Sequence, residues 1–345
     1  MSSTRLTEPA GDINVRAPHL NSTWSQKLIC LGCRQPLLSD TIPKGMAPAS
    51  LRCRSCGVEY VCRDGVIEFA AVDEFYEREG FVSTGRDFGS SPLQRLQLWF
   101  ARHHYLHDIT LAIPAGASVL EIGCGGGSAF LGRRYDMLGV DLSRSSIGSA
   151  ATAYSSVIRA SCVELPVTDS SVDAVVSSFI LEHLEGVMFE KFFQEMARII
   201  RPGGHMVHYF DLENDAPFTR WAKKQPWYHR LFVTERGHYS LRRAPDWAGQ
   251  FEQHGFRTER QRFSCKTWAQ DESIWGRLAD PEVQTIPRIV GHSVRRLSER
   301  IGRPLAAAVC LYQDAFEGPF PDSWASKVIW VLRFEAGVPN IPPCH

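Results

Sequence analysis

Apolar residues arrive along this chain in two alternating periods. Stretches at 119–122, 137–140, 156–160, 172–178, 205–210, 255–263 and 328–334 read as seven strands. The run at 172–178 is unbroken enough to be buried on both faces. Between the runs, apolar residues recur three and four apart, which predicts helices over 143–154, 187–200 and 246–254, the first with Ser143 as its N-cap. This alternation predicts an α/β fold built on a seven-stranded, doubly wound (Rossmann-like) sheet, with its chemistry at the carboxyl ends of the strands.

Ahead of the first of these strands, Leu93, Leu96, Trp99, Phe100, His103 and Leu106 keep helical spacing as far as Ile113, as either a covering helix or a lid. Two stretches interrupt the pattern near the C-terminal end. Residues 211–244 hold Trp221, Trp227, Tyr228, His229, His238 and Tyr239 in a polar setting. Residues 268–325 carry a basic helix at 286–301, with Arg288, Arg295, Arg296 and Arg300, then an apolar patch at 305–311. The first reads as a surface subdomain with its own small core or as a substrate cap, the second as an insertion serving substrate binding or oligomerisation. The expected organisation is a flexible tail (1–26), a small module (27–72), a linker with the lid helix (73–116) and the main domain (117–345).

The small module is defined by cysteine. Of ten cysteines, four fall in Cys30-Leu31-Gly32-Cys33 and Cys53-Arg54-Ser55-Cys56, with nineteen residues between the pairs. That spacing points to a structural zinc ion held by Cys30, Cys33, Cys53 and Cys56 on two knuckles of a zinc ribbon. Asp64-Gly65 between two short strands would be its hairpin turn. His103 and His107 share a helical face but make no comparable set.

Composition narrows the partners. Lysine plus arginine and aspartate plus glutamate are 38 each, so no net charge draws the chain toward nucleic acid. No apolar run approaches the ~20 residues of a membrane span and no secretory signal is visible, so a cytoplasmic protein is expected.

The chemistry centres on Glu121-Ile122-Gly123-Cys124-Gly125-Gly126-Gly127, a strand running into a glycine turn, and on Asp141 at the end of the next strand. Glycines there reach positive φ and let a ligand lie against the backbone at a helix start, while the acid stands where a ribose diol is bound. With Glu164-Leu165-Pro166, Ser171-Val172-Asp173-Ala174-Val175, Leu181-Glu182-His183-Leu184 and Arg201-Pro202-Gly203-Gly204, these blocks resemble, in order and spacing, the class I S-adenosylmethionine-dependent methyltransferases. The resemblance runs from about Ala117 to Phe210.

It implies S-adenosyl-L-methionine as cofactor, its methionine part over Glu121, Gly123, Cys124, Gly125 and Gly127. Asp141 and Leu142 would lie at the ribose, Ser161 and Cys162 beside the adenine, and Phe179 toward the methyl donor. Ser161 departs from the aspartate common at that place in the family.

Methyl transfer from a sulfonium is an in-line displacement, helped by a base when the acceptor carries a proton. His183, just past the fourth strand of the domain, is the first candidate, with Tyr209 and His238 behind it and His208, Asp211 and Tyr239 as further rivals. The expected acceptor is a small molecule or biosynthetic intermediate. An RNA methyltransferase with a zinc module is the second reading. Neutral charge and Phe179-Ile180-Leu181-Glu182 in place of an Asn/Asp-Pro-Pro-aromatic clamp stand against it. A non-catalytic cofactor-binding scaffold is the third.

Overall fold

The computed structural model describes residues 22–37, 50–71, 77, 104–267 and 272–335. The amphipathic stretch from Leu93 to His103, most of the linker and most of the tail lie outside the described residues. Ten strands form one sheet: β1 (Ser50–Arg52), β2 (Glu59–Arg63), β3 (Val66–Glu68), β4 (Ser118–Ile122), β5 (Asp136–Asp141), β6 (Ser156–Arg159), β7 (Val172–Ser178), β8 (Ile200–Asp211), β9 (Phe256–Ser264) and β10 (Lys327–Phe334). Their order is β1-β2-β3-β6-β5-β4-β7-β8-β10-β9. From β3 to β8 every step after the ribbon is parallel, and β10 runs antiparallel between β8 and β9. The seven strands expected of the main domain are present in doubly wound order, and helices cover both faces. Val187–Ile199 and Ala244–Gln253 pack on one apolar cluster, His104–Ala112 and Arg144–Ala150 on the other.

The cysteine module joins the main sheet through its last strand. The β2–β3 hairpin turns at Asp64 and Gly65, whose φ values of 52° and 77° give the left-handed pair of a type I′ turn. β3 then pairs in parallel with β6, Ile67 opposite Ile158, so the ribbon extends the main sheet and covers what would be an open edge. Its apolar side chains Trp24, Leu28, Tyr60 and Ile67 belong to the same core as Leu165, Val167 and Phe192. The tail therefore ends earlier than expected: Ser22–Ser25 is a helical turn and Trp24 is wholly buried, because its indole completes that shared core.

Two other expectations change. The basic helix and the apolar patch are one helical run, Thr285–Phe316, kinked at Ile301 (φ −134°, ψ 34°). Pro304 has no N–H to offer the carbonyl one turn earlier, which accounts for the break. The two insertions also form a single small body, since Trp227 and Leu231 of the first bury against Leu278 and Val283 of the second. Among the described residues, no helix is long and apolar enough to cross a membrane.

Asp108 ties the covering helix His104–Ala112 to β9: fully buried, it accepts hydrogen bonds from Arg260 (3.0 Å) and from both Nε and Nη2 of Arg262 (3.0 and 3.1 Å). Close backbone approach governs another contact on the same face. A Cβ on Gly132, in the helix Ala129–Arg134, would stand 1.9 Å from the carbonyl oxygen of Ala153. Helix propensity alone favours Gly132→Ala by about 1 kcal/mol, whereas overpacking costs about 1–3 kcal/mol. The substitution is expected to lower unfolding stability in urea; a gain would show that the helix can shift away from Ala153.

Candidate functional site

At the end of β4 the chain passes through three left-handed glycines, Gly123 (φ 63°), Gly125 (φ 50°) and Gly127 (φ 74°). β-Carbons are costly in this conformation, and at Gly127 one would also lie 3.0 Å from the Cα of Ala150 on the neighbouring helix. The turn is held to the end of β5. Gly125 N–H donates to Asp141 Oδ2 at 2.8 Å, and Ser143 N–H donates to Oδ1 at 2.9 Å. Burial pushes the Asp141 carboxyl above its ordinary range, and these two donors work against that rise. Glu121, buried beneath the turn, accepts a hydrogen bond from the Tyr154 hydroxyl. Burial holds its carboxyl up to about 8 even so.

The segment after β7 comes back over this turn. Phe179 is left-handed (φ 57°), donates its N–H to Tyr209 O at 2.7 Å and lays its ring 4.8 Å from that of Tyr209. Ile180 packs directly on Gly123, where an added Cβ would meet Ile180 Cδ1 at 2.2 Å. The block foreseen to face the methyl donor is thus against the glycine turn.

Glu182 and His183 follow in a 3-10 turn. His183 Nδ1 lies 2.9 Å from Gly237 O, so it carries the proton and Nε2 keeps its lone pair. His238 meets the His183 ring edge-on with centroids 5.2 Å apart, and its Nδ1 is 3.6 Å from Asp211 Oδ2. Arg236 approaches the same Asp211 oxygen at 3.3 Å. Glu182 is fully buried, and its pKa rises well above the carboxylate range through burial and then the charge of Asp211. His183 is lowered chiefly by burial, and His238 to about 2 by burial and then by Arg236. Beside the cluster opens a small cavity of about 60 Å³ lined by Asp211, Asn214, Phe218, Tyr228, Arg236 and His238.

Other expected residues have different places. Tyr209 stands in an aromatic row between Tyr105 and Phe179. His208 is a core residue: wholly buried, bonded through Nδ1 to Ser177 Oγ at 2.5 Å and lowered to about 3 by burial. Tyr239 is half exposed, away from the buried cluster. Ser161 pairs back with Glu164, and burial pushes the Cys162 thiol up to about 12. Tyr154, Arg236 and Asp211 join the site from positions that no motif singled out for these contacts; Asp211 alone carried a hint, as an acid at a strand end.

The four ribbon cysteines converge. Cys30 and Cys56 sulfurs lie 3.5 Å apart, as do those of Cys33 and Cys53, and all four fall within 4.8 Å of one another. Thiolates around a tetrahedral zinc at ~2.3 Å stand about 3.8 Å apart, so the donor set fits.

Residues 120–208 match the family described as a methyltransferase domain. These residues carry a methyltransferase domain, and it is over this segment that the chain is similar to S-adenosylmethionine-dependent methyltransferases. Among curated relatives, a probable S-adenosylmethionine-dependent methyltransferase of Mycolicibacterium smegmatis is 36% identical over 113 residues, covering 31% of this chain and 42% of its own length. A mouse tRNA (carboxymethyluridine(34)-5-O)-methyltransferase is 32% identical over 28% of this chain and 15% of its own. The chain thus spans less than half of either relative. Among solved structures, a geranyl diphosphate C-methyltransferase of Streptomyces coelicolor A3(2) aligns over 71% of this chain and 78% of that one, at 15% identity and a TM-score of 0.44.

Glu121 offers a test of the buried seat. In the unfolded chain its carboxyl ionises above about 4.5, whereas the folded chain holds the proton to about 8. Folding stability is therefore lost as pH rises through that window. Glu121→Gln is expected to raise the melting temperature by several degrees at pH 8, with the gain vanishing toward pH 4.5; a pH-independent difference would contradict the buried, protonated acid.

Proposed function

We propose that this protein methylates a small-molecule or biosynthetic-intermediate acceptor, using S-adenosyl-L-methionine and activating the acceptor's N, O or C nucleophile at the His183 side of the site. The observation that carries the reading is the Asp141 carboxylate, fixed by the Gly125 and Ser143 amides at the rim of a left-handed glycine turn. Such an acid accepts from a ribose diol while the turn admits a ligand against bare backbone. The cofactor supplies an electrophilic methyl group on a sulfonium. The chain's own work is to hold its two substrates in line and to exclude water. Glu121, Gly123, Cys124, Gly125, Gly127 and Leu142 form the seat, Ser161 and Cys162 its far wall, and Phe179 its boundary toward the acceptor. His183, with Nε2 unprotonated, is the group we assign to receive the acceptor's proton, with His238 edge-on to its ring and Tyr209 against Phe179 as the further candidates. A chain without net charge has no electrostatic pull toward RNA, which favours a small acceptor.

The ribbon we assign to a structural zinc ion, whose binding adds to the folding free energy of a module with little apolar content of its own.

Calorimetry with S-adenosylhomocysteine should show binding that weakens at least tenfold in Asp141→Ala; equal affinity would sink the reading. His183→Gln should retain that binding while methyl incorporation from labelled cofactor falls by about 10²–10⁴, the usual span for a lost general base. Elemental analysis should find a single zinc per chain, absent from Cys53→Ser. Because β3 pairs with β6, that variant should also unfold at lower temperature as a whole, and an unchanged melting curve would refute the structural role.

A further inference from the structure

Beyond the cofactor seat, we propose that Glu182, His183 and His238 bind one divalent first-row metal ion, with Asp211 orienting His238. Each of the three residues offers a ligand atom, and these atoms lie within 4.8 Å of one another. Ligands at ~2.1 Å from an ion stand roughly 3–4 Å apart, so a small side-chain rotation closes the set.

Both imidazoles are already turned for it. His183 Nδ1 is held by Gly237 O and His238 Nδ1 faces Asp211 Oδ2, so each presents Nε2. An oxygen acceptor behind the distal nitrogen is how ligating histidines are fixed in tautomer and orientation.

The carboxylates point the same way. Glu182 is 0% exposed, Oε1 accepts only a long bond from Asp211 N–H (3.4 Å), and Oε2 is buried without a hydrogen-bond partner. Asp211 Oδ1 is likewise buried and unpartnered. Arg236 hydrogen-bonds Asp211 and reaches Glu182 only through its charge, without an ion-pair contact. A buried acceptor with nothing to accept from is costly, and a cation removes the cost.

The insertion is fastened where it must be for this. Ser240 N–H donates to Glu182 O at 3.0 Å, and the Ser240 hydroxyl bonds to Leu184 O, so the stretch carrying His238 is stitched to the turn carrying the other two ligands. Two imidazoles and one carboxylate leave coordination positions open. They would face the cavity beside His238, where an oxygen-bearing acceptor could take one of them. A cation and a proton compete for the same lone pair on His183 Nε2, so proton acceptance by His183 belongs to the cation-free site. Metal binding itself does not rest on methyl transfer.

Mn²⁺ is the probe, since its preference for oxygen ligands keeps it off the thiolates of the ribbon. The zinc-loaded full chain is titrated while the spin-resonance signal of free aqueous Mn²⁺ is followed. One Mn²⁺ per chain is expected, with affinity at least about tenfold lower in Glu182→Gln and in His238→Gln, zinc content unchanged in both, and uptake retained in Asp141→Ala. Should either variant misfold, anomalous scattering from Mn²⁺-soaked wild-type crystals should place a peak among Glu182, His183 and His238. Absence of uptake by the wild type, a peak elsewhere, or equal affinity in both folded variants would overturn the proposal.

Discussion

The hydrogen bond from Gly125 N–H to Asp141 is the constraint on which the glycine turn depends. It joins the carboxyl ends of two neighbouring parallel strands, just beyond the point where Cys124 N–H makes a last contact to Val140 O. To aim its amide there, Gly125 must be left-handed, as must the glycines on either side. The next turn then comes so close to the helix Arg144–Ala150 that Gly127 has no room for a side chain. Tyr154, just beyond that helix, reaches back to Glu121 with its hydroxyl and receives Ser128 N–H. One donor–acceptor pair thus sets the turn, the helix spacing and the environment of the acid below.

The centre of the sheet was legible in the sequence because a strand buried on both faces cannot alternate, and β7 is a nearly unbroken buried run between parallel neighbours. The ribbon hairpin was legible because Asp64-Gly65 suits a turn that needs two positive φ values. What the pattern did not carry was the partnership of edges. Nothing in the three residues of β3 marks them as a neighbour of β6 rather than an independent edge, and Trp24 stands in a polar stretch without period. The union of the two insertions was hidden for the same reason: Trp227 and Leu278 meet through tertiary packing, which leaves no periodic trace.

The residues proposed for the site divide along the same line. The left-handed glycines and the Asp141 contact were legible because local backbone chemistry demands them. His183 could be placed only by position after a strand, and its contact with His238 depends on how an irregular insertion folds back. His208 shows the converse. It too stands near a strand end, but it lies inside the sheet, where burial keeps it neutral and Ser177 satisfies one nitrogen. Position along a strand does not say which face or depth a side chain occupies.

Two buried glutamates at adjacent strand ends make the remaining distinction. Glu121 lies at the end of β4 and Glu182 just past β7, its partner in the sheet, and burial raises both pKa values. Glu121 has an answer within the chain, the Tyr154 hydroxyl, and can remain there as a neutral acid bonded to a neutral donor. Glu182 has no hydroxyl within reach and faces a second carboxyl, Asp211, with Arg236 bound to the far acid. Protonation would relieve the repulsion but would leave Oε2 without a protein partner. The difference between them lies in the surroundings: the fold completes the first acid, while the second, beside two outward-turned imidazole nitrogens, is completed only by something that enters the site.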